Sequence, residues 1–183
     1  MTAYYNEFDP KAAAWLRELI RSGLIAPGDV DERSILDVKP ADLAGYTQCH
    51  CFAGLGGWSF ALRLAGWPDD RPVWTGSPPC QPFSAAGRQL GRDDERHLAP
   101  HFASLVAACQ PAVLFGEQVA SAAVFGKATG RSGKSVEGQA PLEWAWLDDL
   151  FERLEAAHYA CGASDIPAAG VGAAHIRQRT FFG

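Results

Sequence analysis

The sequence predicts an α/β fold with a mostly parallel β-sheet that helices cover on both faces. Short apolar runs bounded by turn residues alternate with segments of helical periodicity, as in chains that wind strands and helices in turn. The run at 112–116 is almost wholly apolar, which is typical of a strand buried on both faces. The 183 residues suffice for one ordinary domain with its own core, so we expect a single domain over 1–183.

The composition argues against several classes of protein. Apolar residues make up 48% of the chain and charged residues 20%, which indicates a globular protein and not a disordered one. No apolar run approaches the ~20 residues of a membrane-spanning helix, and no basic region followed by an apolar one opens the chain. We therefore expect a cytoplasmic protein with no membrane partner, whose five cysteines are reduced. Because the net charge is −5, any contact with DNA must be local or come from another segment.

The first half of the chain alternates strands and helices. Asp9 and Pro10 predict the start of a helix, with Trp15 and Leu16 on its apolar face and Gly23 as its stop. The other predicted elements are a short strand at 4–5, a loop over 26–34, a helical turn at 40–43, a strand at 46–52, a helix over 58–65 and a strand at 73–76.

The second half continues the same alternation. The predicted elements are a helix over 98–109, strands at 112–116, 159–166 and 180–182, and a helix from Pro141 to about His158. Residues 126–140 are rich in glycine, serine and charge, so we predict a mobile loop there. A phosphate-binding loop at Gly130–Ser135 is disfavoured because Ala128 stands where that motif requires its first glycine.

Cys80 lies in a stiff segment, Gly76–Ser84, that directly follows a predicted strand. Three prolines in this segment fix φ, remove backbone donors and push their preceding residues away from helix. The thiol is therefore predicted to be displayed at a strand end, where α/β enzymes place reactive groups. The alternative is an ordinary buried cysteine, but the local sequence offers it no apolar surroundings.

A glycine-rich turn, Phe52–Gly57, connects a predicted strand to a helix. Glycines allow a backbone to approach a ligand and to adopt positive φ, and a helix N-terminus favours negative charge. Ser59 replaces the third glycine of the dinucleotide-binding fingerprint. A plain tight turn and a dinucleotide oxidoreductase, which would not need Cys80, stay open as alternatives.

Charged residues near the last two predicted strands are further candidates. Glu117 closes a buried strand, where a carboxylate can donate a proton, although a capping or salt-bridged glutamate is an equal alternative. On an extended segment His175, Arg177 and Arg179 would share one face, and a guanidinium there can clamp a carbonyl, a carboxylate or a phosphate. The alternative is a solvated edge strand, whose edge arginines would protect from pairing.

A metal site is not expected. Cys49 and Cys51 flank His50, but no further ligand follows at a suitable spacing. We therefore interpret both cysteines as core residues.

Four ordered motifs in this chain resemble those of the DNA cytosine-5 methyltransferase family. They are Phe52–Gly57, Pro79-Cys80-Gln81, Glu117-Gln118-Val119 and His175-x-Arg177-x-Arg179. In that family these are the cofactor loop, the nucleophile loop, a Glu-Asn-Val motif and a Gln-x-Arg-x-Arg motif. The resemblance implies a Rossmann-like S-adenosylmethionine-dependent methyltransferase sheet.

The resemblance also implies a reaction and its residues. S-adenosyl-L-methionine would be the cofactor, and double-stranded DNA with a flipped cytosine the substrate. Cys80 would attack carbon 6 of the base, Glu117 would act at N3, and Arg177 or Arg179 would hold the base carbonyl. The cofactor would be bound by the turn, with Phe52 against the adenine, and this set comprises Phe52, Ala53, Gly54, Leu55, Gly56 and Gly57.

The chain departs from the family pattern in the order of its motifs. Only 22 residues separate the glycine turn from Cys80, too few for the family's two intervening strand-helix units. Asn6–Pro10 and Gly28–Val30 resemble the missing ribose-binding and adenine-binding stretches. We therefore predict a permuted order in which Glu7 contacts the ribose and Asp29 the adenine.

Other departures concern activity. Gln118 replaces the family's asparagine, and His175 replaces its glutamine. A target-recognition domain is not recognised before Gly183, so a catalytically incomplete lobe, or half of a split enzyme with a partner chain, is an alternative to a working enzyme. A thymidylate synthase-like enzyme would share the Pro-Cys pair but not the glycine turn.

Overall fold

The computed structural model describes residues 2–78, 98–119 and 142–183, and these residues form a seven-stranded sheet with helices on both faces. The strands are β1 Ala3–Asn6, β2 Gly28–Asp31, β3 Gln48–Cys51, β4 Val73–Gly76, β5 Leu114–Val119, β6 Ala163–Pro167 and β7 Gln178–Phe182. The helices are α1 Pro10–Arg21, α2 Gly57–Leu64, α3 Ala99–Cys109 and α4 Leu142–Ala156.

The sheet is mostly parallel, which confirms the predicted fold class. Its strand order is β2-β1-β3-β4-β5-β7-β6. Strands β1 to β5 are all parallel, whereas β7 runs antiparallel between β5 and β6. The carboxyl ends of β1, β3, β4 and β5 therefore meet at one edge of the sheet.

Helices α1 and α2 cover one face of the sheet. The Asp9 carboxylate accepts hydrogen bonds from the Lys11 and Ala12 backbone N–H groups at 2.8 and 3.0 Å, which confirms the predicted cap of α1. Leu16 packs under the sheet against Tyr5 of β1. Trp15 is 50% exposed, so its predicted place on the apolar face is wrong.

Helices α3 and α4 cover the opposite face, together with short 3₁₀ turns at Ile35–Asp37 and Pro40–Leu43. Their buried apolar side chains pack on the strands as one cluster, which contains Phe102, Leu105, Val106, Leu147, Leu150 and Leu154. Cys49 and Cys51 of β3 are free thiols buried in this cluster, as predicted.

Two register-paired glycines allow aromatic rings to lie on the sheet backbone. Gly76 of β4 pairs with Gly116 of β5. A Cβ on Gly76 would come within 2.3 Å of the Phe102 ring, and one on Gly116 within 2.0 Å of the Phe182 ring. Any side chain at either position would displace a ring from the core.

Several element boundaries differ from the sequence-based predictions. Residues 26–34, expected to form a loop, contain β2, whose backbone pairs with β1 although Val30 is its only strong strand former. Strand β5 continues to Val119, β6 begins at Ala163, and β7 begins at Gln178. The loop predicted at 126–140 and Cys80 lie outside the described residues.

Candidate functional site

The candidate site lies where the chain changes direction across the sheet. From β1 the chain first adds β2 on one side and then returns to place β3 on the other. In doubly wound sheets such a switch point opens a crevice at the carboxyl ends of the strands, and ligands bind there. Neighbouring strands are about 4.8 Å apart, so the ends of β1, β3, β4 and β5 together span about 14 Å.

The glycine turn Phe52–Gly57 forms one wall of this crevice. Phe52, Gly54 and Gly56 have φ of 54°, 54° and 80°, so the turn depends on left-handed backbone. The Gly56 backbone also lies against α1, because a Cβ there would come within 3.2 Å of Leu16 and Leu19 side-chain atoms. The half-buried Phe52 ring meets Phe102 edge-on, with the ring centres 6.0 Å apart.

Glu7 joins the end of β1 to the glycine turn. Its carboxylate accepts a 2.7 Å hydrogen bond from the Gly54 backbone N–H and a 2.9 Å hydrogen bond from the Asp9 N–H. The Ala53 N–H donates to the Asn6 carbonyl at 2.9 Å. The structure therefore brings together the two segments that the sequence predicted to share a cofactor, although 47 residues separate Glu7 from Gly54.

Asp29 lies further from this edge than Glu7. It is the second residue of β2, and its carboxylate accepts a 2.9 Å hydrogen bond from the Tyr46 hydroxyl. Asp31 is the last residue of β2 and accepts from the Tyr4 hydroxyl at 2.7 Å and from Arg33. Partial burial opposes ionisation of Asp31, but the Arg33 hydrogen bonds prevail and lower its pKa to about 2. Sequence reasoning missed Asp31, which lies in the segment predicted as a loop.

The two residues that precede Pro79 and Cys80 are held by side chains from other elements. Gln118 of β5 is 6% exposed, and its Nε2 donates a 3.0 Å hydrogen bond to the Pro78 carbonyl. Its Oε1 accepts from the Val119 N–H at 2.9 Å, so the amide is fixed at both ends. The indole Nε1 of Trp58 donates to the Ser77 hydroxyl at 2.9 Å. Cys80, the predicted nucleophile, is itself outside the described residues.

Glu117 and Arg179 form an ion pair at the same edge of the sheet. Arg179 Nε lies 2.5 Å from Glu117 Oε1, and their side chains are 20% and 26% exposed respectively. Antiparallel pairing of β5 with β7 places these two residues on one face. Two of the predicted catalytic residues are therefore in contact.

Arg177 does not share this arrangement. It precedes β7, is exposed, and has φ of 28°, so the chain is not extended from His175 to Arg179. The predicted alternation of His175, Arg177 and Arg179 on one face is wrong. The Arg177 carbonyl accepts a 3.1 Å hydrogen bond from the Ala168 N–H, which holds the turn between β6 and β7.

The part of the chain that the structure describes has only short helices, of which α4 with 15 residues is the longest. None of its helices is long and apolar enough to cross a bilayer. Within the same residues, no three histidine, cysteine or acidic side chains are grouped so that they could hold a metal ion.

Comparisons with known proteins identify the family of this chain. The chain matches the model of the C-5 cytosine-specific DNA methylase family over residues 67–183, more than half of its length. It is 31% identical over 113 residues to the type II methyltransferase M.NaeI of Lentzea aerocolonigenes, covering 62% of this chain and 21% of that protein. It is 30% identical over 118 residues to the type II methyltransferase M.AplI of Arthrospira platensis, covering 64% of this chain and 28% of that protein.

A solved structure shares the fold. The crystal structure of a triple mutant of Spodoptera frugiperda DNMT2 matches 98% of this chain and 40% of its own chain, with a TM-score of 0.54 and 14% sequence identity. The chain thus spans between about a fifth and two fifths of these relatives. Because the family model covers more than half of the sequence, including the motifs around Cys80, Glu117 and Arg179, the chain belongs to the C-5 cytosine-specific DNA methylase family.

Proposed function

We propose that this chain is the cofactor-binding and catalytic lobe of a DNA cytosine-5 methyltransferase. The proposal depends chiefly on one observation. The Glu7–Gly54 contact, the anchored Ser77–Pro78 segment and the Glu117–Arg179 pair all lie at the carboxyl ends of β1, β3, β4 and β5. A methyl donor and a nucleophile held at this edge would be close enough to react on one base.

The residues of the crevice fit S-adenosylmethionine. Glu7 offers a carboxylate that can accept hydrogen bonds from ribose hydroxyls, and the left-handed Gly54 has open space where a side chain would stand, so that a ligand can approach the turn. Asp29 or its neighbour Asp31 offers an acceptor for the adenine amino group. When bound, the sulfonium cofactor supplies an activated methyl group.

The residues of the chain account for the remaining chemistry. Carbon 5 of cytosine is too weak a nucleophile in the aromatic ring, but addition of the Cys80 thiolate to carbon 6 makes it an enamine carbon. In its protonated form, Glu117 donates a proton or hydrogen bond at N3, which makes carbon 6 more electrophilic, and Arg179 holds Glu117 and the base carbonyl. Once carbon 5 has accepted the methyl group, loss of its proton to solvent allows the Cys80–carbon 6 bond to break, which restores the aromatic ring and releases the Cys80 thiolate. Flipping the base out of the duplex costs a few kcal/mol.

Replacement of Cys80 tests this mechanism. We expect Cys80→Ser to abolish transfer of a radiolabelled methyl group from S-adenosylmethionine to DNA, because a serine hydroxyl is rarely ionised at neutral pH. Cys161→Ser is the matched control, since Cys161 lies before β6 and burial raises the pKa of its thiol. Methylation by the Cys80→Ser protein at the wild-type rate would disprove the covalent mechanism.

A lobe that binds the cofactor but needs a partner chain for DNA recognition is the second candidate. Binding of S-adenosylhomocysteine without methyl transfer to DNA would support it. Transfer by the isolated chain would exclude it.

A further inference from the structure

The indole of Trp58 connects the glycine turn to the segment that leads to Cys80. Trp58 is the second residue of α2, directly after Gly56 and Gly57. Its Nε1 donates a 2.9 Å hydrogen bond to the hydroxyl of Ser77, the first residue after β4. A movement of either segment is therefore transmitted to the other through this bond.

The Trp58 ring is itself fixed by aromatic neighbours. It stacks on Phe115 of β5 with an interplanar angle of 12° and a centroid distance of 6.2 Å. It meets the edge of Phe181 of β7 at 6.0 Å and 80°. Such offset-stacked and edge-on pairs are the favoured geometries of aromatic rings. Because rings from two strands hold the indole on α2, its N–H points in a defined direction.

A second anchor lies next to the first. The Gln118 amide donates to the carbonyl of Pro78, while Trp58 donates to the side chain of Ser77. Two consecutive residues are thus held by one donor from α2 and one from β5. Of these two donors, only Trp58 belongs to the helix that begins at the glycine turn.

We propose that Trp58 is a positioning residue, which through its hydrogen bond to Ser77 fixes Ser77 and Pro78, the residues that lead to Cys80, relative to the glycine turn. The catalytic role in this inference rests on the proposed function, but the effect of the Trp58–Ser77 hydrogen bond can be tested without catalysis. Phenylalanine can fill most of the space of the indole and retain its ring contacts, so Trp58→Phe removes mainly the donor. Ser77→Ala removes the acceptor from the other side.

The test measures the rate at which iodoacetamide alkylates Cys80, with peptide mass mapping as the readout. It compares wild type, Trp58→Phe, Ser77→Ala and the double variant. We expect the alkylation rate to rise about 3- to 10-fold in each single variant and no further in the double variant, because both changes break one bond. Cys109 and Cys161 serve as internal references. Rates within twofold of wild type, or effects that multiply in the double variant, would overturn the proposal.

Trp67→Phe is the matched control. Trp67 also meets Phe115 edge-on at 6.2 Å, but its Nε1 donates to the Arg71 carbonyl and not to the Cys80 segment. We expect its Cys80 alkylation rate to equal that of wild type, and an equal rise in this variant would reduce the effect to general loosening of the aromatic cluster.

A kinetic measurement adds a second readout. A misplaced nucleophile lowers kcat, so Trp58→Phe and Ser77→Ala should each reduce kcat about 10-fold or more while KM for S-adenosylmethionine stays within twofold. If wild type transfers no methyl group, the proposed function fails, whereas the alkylation rates still decide the role of Trp58.

Discussion

His50 is a buried, uncharged histidine at the centre of the sheet. It is 2% exposed, its Nδ1 lies 2.9 Å from the Thr75 hydroxyl, and its Nε2 lies 3.3 Å from Gln48 Oε1. The ring also stacks on Tyr5 with a centroid distance of 4.9 Å. Burial lowers the pKa of His50 to about 4, so the folded protein keeps this imidazole neutral at pH 7.

This histidine predicts a loss of stability in mild acid. An unfolded histidine binds a proton below about pH 6.5, whereas folded His50 does so only near pH 4. The contribution of neutral, buried His50 to the free energy of unfolding is therefore complete above pH 6.5. As the pH drops towards 4, the free energy of unfolding falls by up to about 1.4 kcal/mol per pH unit. Urea denaturation at pH 7, 6 and 5 measures this slope.

Two variants isolate the contribution of His50. His50→Gln should flatten the slope between pH 6.5 and 4, whatever its own stability at pH 7. His175→Gln, which alters an exposed side chain, should leave the slope as in wild type. Equal slopes in wild type and His50→Gln would show that this imidazole is not buried in its neutral form.

At the residue scale, the sequence predicts contacts between segments that carry recognisable motifs. It does not predict contacts between residues that only the fold brings together. Glu7 was paired with the glycine turn because both segments resemble parts of one cofactor site. The Trp58–Ser77 hydrogen bond joins residues 19 positions apart on different elements, and neither residue type signals the other. Arg177 was misplaced because alternation holds only within a strand, and β7 begins one residue later.

At the scale of elements, β4 and β5 approach each other through Gly76 and Gly116. We predict that Gly116→Ala destabilises the protein by about 2 kcal/mol or more, because the added methyl group overlaps the Phe182 ring and the Gly76 carbonyl. The free energy of unfolding from urea titration measures the loss.

Gly162→Ala is the control for this change. Gly162 is exposed, a methyl group added to it would meet no atom within 4 Å, and its φ is not positive. Its replacement should be neutral or slightly stabilising, since alanine restricts the unfolded chain. Equal stability of Gly116→Ala and wild type would mean that Phe182 has another position available.

Most elements could be predicted from the sequence because their local signals agree with the fold. The cap and proline at Asp9-Pro10 start α1, and the apolar run at 73–76 forms β4 with the predicted bounds. Strand β2 could not be predicted, because Gly28-Asp29-Val30-Asp31 has weak strand propensity and depends on pairing with β1. Its formation is decided by the neighbouring strand.

At the scale of the whole molecule, the strand order agrees with the permuted order inferred from the motifs. If β3 is counted as the first strand, β1 becomes the second and β2 the third, so the order reads 3-2-1-4-5. This is the common order of doubly wound nucleotide-binding sheets. Strand β1, which ends beside Glu7, and strand β2, which contains Asp29 and Asp31, precede the glycine turn in the chain, whereas this order places them after it.

We predict that a ligand bound at the switch point between β1 and β3 stabilises the folded protein. S-adenosylhomocysteine at 100 times its Kd should raise the free energy of unfolding by about 2.7 kcal/mol. Glu7→Gln should weaken binding about 10-fold, because it removes the charged acceptor beside Gly54. Isothermal titration calorimetry measures the affinities of wild type and Glu7→Gln. Urea denaturation with and without the ligand measures the stabilisation.

The matched control changes a glutamate on α1. Glu18 is exposed and pairs with Arg21, so Glu18→Gln should bind S-adenosylhomocysteine as wild type does. Unchanged affinity in Glu7→Gln would place the ligand away from the switch point between β1 and β3.

The position of β3 as third strand in the chain has a consequence for biosynthesis. As the ribosome releases this polypeptide, β1, α1 and β2 emerge before the strand that will separate β1 from β4. One side of β1 stays unpaired until residues 48–51 leave the exit tunnel. The β1–α1–β2 segment therefore has an unpaired strand edge until β3 is released. A nascent chain arrested before residue 48 would expose this edge of β1 to chaperones.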